Sequence, residues 1–214
     1  MLAGFLFVAI QPIHPPDVLS SVSTDSWVVV TSLKFAFGLL GLLGLAGIYA
    51  RQANQVGWLG LAGYLLFSVF LALTAVFAFA QAFILPLLAT DAPRFVEGFL
   101  GLATGTASEV SLGPIPTVYA LAGIGYLVGT LTFGIATFRA GVLPRWAAGM
   151  LALAGPLSII AVQLLPHALE RFAAAPGGIA LAWLGYAVWT ERRAHASERL
   201  PREAMAQAGQ IGAV

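Results

Sequence analysis

Residues 27–88 constrain the fold most. They form two long apolar runs separated by a polar break, 51–57, whose only charge is Arg51. Each run exceeds the roughly 20 residues a helix needs to cross a bilayer core. The pair predicts a transmembrane helical hairpin, and the rest of the chain repeats its pattern. Composition agrees. Of the 214 residues 59% are hydrophobic and 9% charged, and the mean hydropathy is +0.91, whereas soluble domains carry about 25% charge. A water-soluble reading fails on these grounds. The expected fold class is all-α: a polytopic membrane protein, a six-helix transmembrane bundle with a short surface helix in the outer loop 89–116.

Spans are expected at about 1–13, 27–50, 58–85, 117–138, 146–165 and 174–190, followed by a cytoplasmic polar tail, 191–214. The first is short, roughly 20 Å at about 1.5 Å per residue. A helix beginning upstream of Met1 is a rival reading. A signal peptide is another, although the basic n-region is missing. His14-Pro15-Pro16-Asp17 ends this segment, because paired prolines cannot continue a helix. Asp25 or Ser26 can cap the second helix. Gly38, Gly41, Gly44 and Gly47 recur every three residues along it and read as a groove that admits a neighbouring helix. The third helix is long enough to require tilt or projection, and Pro86 ends or kinks it. Apolar residues at 95, 96, 99, 100 and 102 predict a short amphipathic helix, lying on the membrane surface or folding back over the bundle. Gly125 and Gly129 form a small-residue pair in the fourth helix. The tail reads as a frayed amphipathic helix or as disordered chain.

Basic residues sort sharply by side. Arg51, Arg139, Arg145, Arg192, Arg193, Arg199 and Arg202 fall on one side, and only Arg94 and Arg171 on the other. Seven against two predicts that the first side is cytoplasmic, with both termini inside the cell. Arg51 precedes Trp58 by seven residues and Arg139 precedes Trp146 by the same interval. The match suggests a duplicated hairpin, although Arg and Trp both favour interfaces without duplication.

Few residues can carry chemistry. Lys34 lies inside the second helix, where a charge costs a few kcal/mol unless paired or snorkelled. It is the first candidate for ligand binding, with Gln81, Asp25, Glu97 and Glu109 as possible partners. Gln11, Gln81 and Gln163 are expected at similar depth, and with Lys34 and Tyr119 could line one polar pocket open outward. The competing reading gives each amide an interhelical hydrogen bond and no further role. His14 and His167, with Asp17 or Glu170, are the only candidates for a metal, but lack the close spacing of a metal motif. No cofactor is expected. There is no HExxH, GxSxG or Walker sequence, and the absence of cysteine excludes thiolate sites. An intramembrane enzyme is therefore the least favoured reading. No basic stripe suits nucleic acid. The expected partners are the lipid bilayer, an unknown small-molecule ligand, and a second copy of the chain through glycine-rich faces.

Several phrases resemble a group of uncharacterised bacterial multi-pass integral membrane proteins. They are His14-Pro15-Pro16, Trp27, the run from Gly47 to Gln52, the run from Gln81 to Pro86, and Arg139-Ala140-Gly141-Val142-Leu143-Pro144-Arg145-Trp146. The resemblance implies a bacterial inner-membrane bundle and brings no established activity. In such proteins an acidic residue often stands where Gln81 is, so the neutral amide argues against a proton relay. The functional expectation is a small-molecule or ion-binding membrane protein, a transporter subunit or sensor. The alternative is a structural or accessory membrane protein without a ligand site.

Overall fold

The structure, a computed structural model, describes the backbone of residues 1–164 and 171–211. Side-chain surroundings are described for these residues except 162–163, 171 and 195–211. The described chain is helical, with no strand among the described residues. α1 spans Leu2–Ile10 and tightens into a 3-10 turn, Gln11–Ile13. A continuous helical stretch, Asp25–Phe79, follows. At about 1.5 Å per residue it would reach more than twice the roughly 30 Å of a bilayer core. It folds in two at Gly57, where φ is 58° and ψ −161°, a conformation essentially restricted to glycine. We call the legs α2 (25–56) and α3 (58–88). α4 is Pro93–Thr104, α5 Ile115–Ala140, α6 Arg145–Leu164 and α7 Ala175–Ile211.

Three of the expected boundaries move. The polar break 51–57 shrinks to one residue, because helix continues through Val56. The cap of α2 is neither Asp25 nor Ser26. Thr24, in extended conformation, accepts the Trp27 N–H on its Oγ1 at 3.3 Å, and Asp25 instead occupies the first turn, where its charge suits the helix dipole. The backbone of α7 stays helical through the tail as far as Ile211.

Three stretches are long and apolar enough to cross a membrane: Asp25–Leu88, Ile115–Ala140 and Phe172–Ala194. The apolar helices Leu2–Ile13 and Arg145–Ala161 are shorter.

Glycines bring neighbouring helices together. Gly38 and Gly41 of α2 face Ala75 and Leu71 of α3, so the legs run antiparallel. The expected groove is half filled, since Gly44 and Gly47 meet nothing. Gly63 of α3 abuts the Phe133 backbone of α5, and Gly125 and Gly129 of α5 abut the backbone from Leu66 to Phe70. Gly134 of α5 presses on Ala152 of α6, and Gly4 of α1 on Gly178 and Ala182 of α7. Phe7 of α1 stacks on Phe37 of α2 at 4.5 Å between centroids. Long helices thus pack beside their neighbours in chain order, and α7 returns to α1.

The two ends of this assembly differ. One carries Arg51, which pairs with Glu191 of α7, the left-handed Gly57 and Gly141 turns, and Trp58 and Trp146, which are 85% and 80% exposed. At the other end α4 packs against the ends of α2 and α3. Val96, Phe99 and Leu100 are buried there with Val22, Trp27 and Leu85. In water each such side chain contributes about 1.5–3 kcal/mol by burial.

Candidate functional site

The site begins with a defect in α3. Residues Ala80–Ile84 form a π-helical turn, in which the Leu85 N–H reaches back five residues to the Ala80 carbonyl. The next carbonyl in that register, Gln81 O, faces position 86, a proline with no N–H. Trp27 supplies the missing donor: its Nε1–H donates to Gln81 O at 2.9 Å, in a fully buried bond. An orphaned carbonyl in an apolar interior costs about 1–3 kcal/mol, so the indole and the widened turn stabilise each other.

The bulge also orients the Gln81 side chain, which is 8% exposed. Lys34 Nζ donates to Gln81 Oε1 at 3.0 Å and lies 3.2 Å from His14 Nε2. The histidine tautomer follows from its other contact. His14 Nδ1 is 2.7 Å from Pro15 O; a carbonyl only accepts, so Nδ1 carries the proton and Nε2 accepts from the ammonium. The His14 ring also meets the Trp27 ring edge-on at 5.9 Å. Lys34, half-buried, is thus held between Gln81 of α3 and His14 of the segment after α1.

This cluster borders a cavity of about 270 Å³, small for a ligand pocket, which typically holds about 300–1,000 Å³. Lys34 and Gln81 form one side, with Asp17 from the loop after α1. Phe70, Thr74, Phe77 and Ala78 of α3 form a second. Tyr119, Ala122, Gly123 and Tyr126 of α5 form the third, and Ala103 of α4 completes the lining. Asp17 is within electrostatic reach of the Tyr119 phenol. Tyr126 lies 3.4 Å from Ser158 Oγ, and that hydroxyl donates to Ala154 O, so the phenol is the donor. Gly123 is exposed and borders the hollow. A Cβ there would meet nothing within 4 Å.

Compared with known proteins, the chain matches no family model, no curated protein and no solved structure. The site is therefore read from its own chemistry.

Of the residues singled out in the sequence, Lys34, Gln81 and Tyr119 share the cavity wall. Gln11 does not join them. Its Nε2 donates to Phe7 O, 3.0 Å away in its own helix, a bond that satisfies the amide locally. The Gln163 side chain and His167 lie outside the described residues. Among the described residues no three of His, Cys, Asp and Glu gather as a metal site would need. The ammonium beside His14 Nε2 also opposes a cation there. Among the expected partners of Lys34, Gln81 is in contact. Glu109 faces Arg94 across 3.9 Å, and Glu97 borders a second hollow, shared with Asp17 and the α4 C-terminus.

Sequence reasoning missed the Lys34–His14 contact, the Trp27–Gln81 bond, and Thr74, Tyr126 and Gly123 as cavity residues. One signal was present in the chain. His14, Trp27 and Gln81, each set off by its position beside a helix end or proline, meet around Lys34.

Proposed function

We propose that the chain is a six-span membrane protein that binds a small molecule in the cavity beside Lys34, as a transporter subunit or a sensor. The observation that carries this reading is the aim of Lys34. Its ammonium, held by Gln81 and His14, stands at the wall of a hollow. In that reading α1, α2, α3, α5, α6 and α7 each cross the membrane, and α4 covers the cavity mouth. The charge bias supports cytoplasmic placement of the Arg51 end, with both termini inside, and the Arg51–Glu191 pair supports one common end for these turns. A bacterial cytoplasmic membrane rests on the family resemblance.

The second reading is an accessory membrane protein, whose polar residues only lock helices together. The satisfied Lys34–Gln81–His14 contacts favour it. A thermal-shift screen of a small-molecule library on purified wild type, Gly123→Leu, Lys34→Ala and Gln81→Ala separates the two. A binding protein gives a wild-type hit that Gly123→Leu abolishes without a large change in its own melting temperature. A scaffold gives no hit, while Lys34→Ala and Gln81→Ala melt lower.

A further inference from the structure

The charges at the cavity define which occupant it can take. Lys34 is cationic, and its two described acceptors, Gln81 Oε1 and His14 Nε2, are both neutral. Asp17 brings a carboxylate to the same cavity, near Tyr119. The His14 tautomer leaves that ring uncharged. The lining therefore carries one positive and one negative group and balances to zero.

That balance discriminates among ligands. Burying a net charge in an apolar surround is costly unless it is paired. A simple anion that took Lys34 would leave Asp17 facing like charge, and a simple cation that took Asp17 would leave Lys34 in the same position. A ligand bearing both charges exchanges each in kind, whatever pairing the two side chains have beforehand. Apart from Thr74, the rest of the lining is apolar or aromatic, with Phe70 and Tyr126 at 4.8 Å and Phe77 and Tyr119 at 5.3 Å between ring centroids. Ala78, Ala122 and Gly123 leave the space between them open.

We propose that the cavity binds a small zwitterion of the α-amino acid class, its carboxylate on Lys34, its ammonium on Asp17 and its apolar side chain between the Phe70–Tyr126 and Phe77–Tyr119 pairs. This rests on the binding reading above and adds the ligand's chemistry to it.

Three probes with the same body separate the charges: L-phenylalanine, 3-phenylpropionate, which lacks the ammonium, and 2-phenylethylamine, which lacks the carboxylate. Binding to the purified full-length protein in detergent is followed by calorimetry. L-Phenylalanine is expected to bind at least tenfold tighter than either singly charged analogue. Asp17→Asn should invert the order in favour of 3-phenylpropionate, and Lys34→Gln in favour of 2-phenylethylamine. A merely structural role for either residue would weaken all three alike. If Lys34→Gln fails to fold, Asp17→Asn alone still tests the inversion. Equal or tighter binding of a singly charged probe, or no binding by any of the three, overturns the proposal. Gly123→Leu keeps the two readings apart. If a singly charged probe binds best and Gly123→Leu removes it, the cavity reading stands and the zwitterion falls. If L-phenylalanine binding survives Gly123→Leu, both fall.

Discussion

Two glycines on α5 are separated by less than two turns and do opposite things. Gly129 lets the helix backbone close onto Phe67 of α3, where any Cβ would strike main-chain atoms. Gly123 faces open space. Toward the arginine-bearing end the helices meet along Gly63, Gly129 and Gly134. Toward the lysine-bearing end Ala78, Ala122 and Gly123 border a hollow. A small residue therefore sets how near two backbones can come, and the neighbouring helix decides whether the space is closed or kept.

The contrast is easiest to break at the closed end. Gly129→Val should destabilise by about 3 kcal/mol or more, because the added atoms meet backbone that cannot rotate aside. Graded unfolding in SDS measures it, and a loss below about 1 kcal/mol would mean that α3 and α5 are not in contact there. Trp27→Phe ranks next. It leaves the Gln81 carbonyl without a donor, an expected loss of about 1–3 kcal/mol; a neutral result would show that another group serves the widened turn. Gly123→Ala should run the other way and gain about 0.4–1 kcal/mol, through lower entropy of the unfolded chain, since nothing opposes its methyl. A loss of stability would place a neighbour where the hollow is. Glu191→Gln should change stability by no more than about 1 kcal/mol, because its pair with Arg51 is over a third exposed on the arginine side. A larger effect that persists in high salt would point to a buried pair.

The membrane orientation is open to direct test. The chain has no cysteine, so single replacements report cleanly. Ala107→Cys in the loop after α4 should react with an impermeant maleimide on intact cells, and Ala53→Cys at the end of α2 should not. Reversed labelling would turn the cavity to the cytoplasm.

Apolar length made the helices legible in the sequence, and the polar break 51–57 contained the fold-back without singling out Gly57. Lys34, Gln81 and Tyr119 were legible as a group because each is a polar exception on an apolar helix. The reason they meet was not. It depends on the register shift at 80–84, of which Pro86 gave only the sign of a stop or kink, and on the contact with Trp27, which no local pattern reveals. Tryptophan itself was ambiguous: Trp58 and Trp146 stand exposed, as interfacial residues do, while Trp27 is wholly enclosed. Gln11 misled because a glutamine can satisfy its amide on its own helix, an outcome that spacing does not reveal.

The widened turn in α3 amounts to one residue of slack. The turn accommodates one residue more than ordinary winding would, so deleting one position among 82–84 would restore that winding and leave Leu85 and the residues beyond it close to their present facing. The proline would still bring no N–H, so a carbonyl one turn back would still need a donor from outside the helix, and the cost of the shortening would fall on how that carbonyl meets the Trp27 indole.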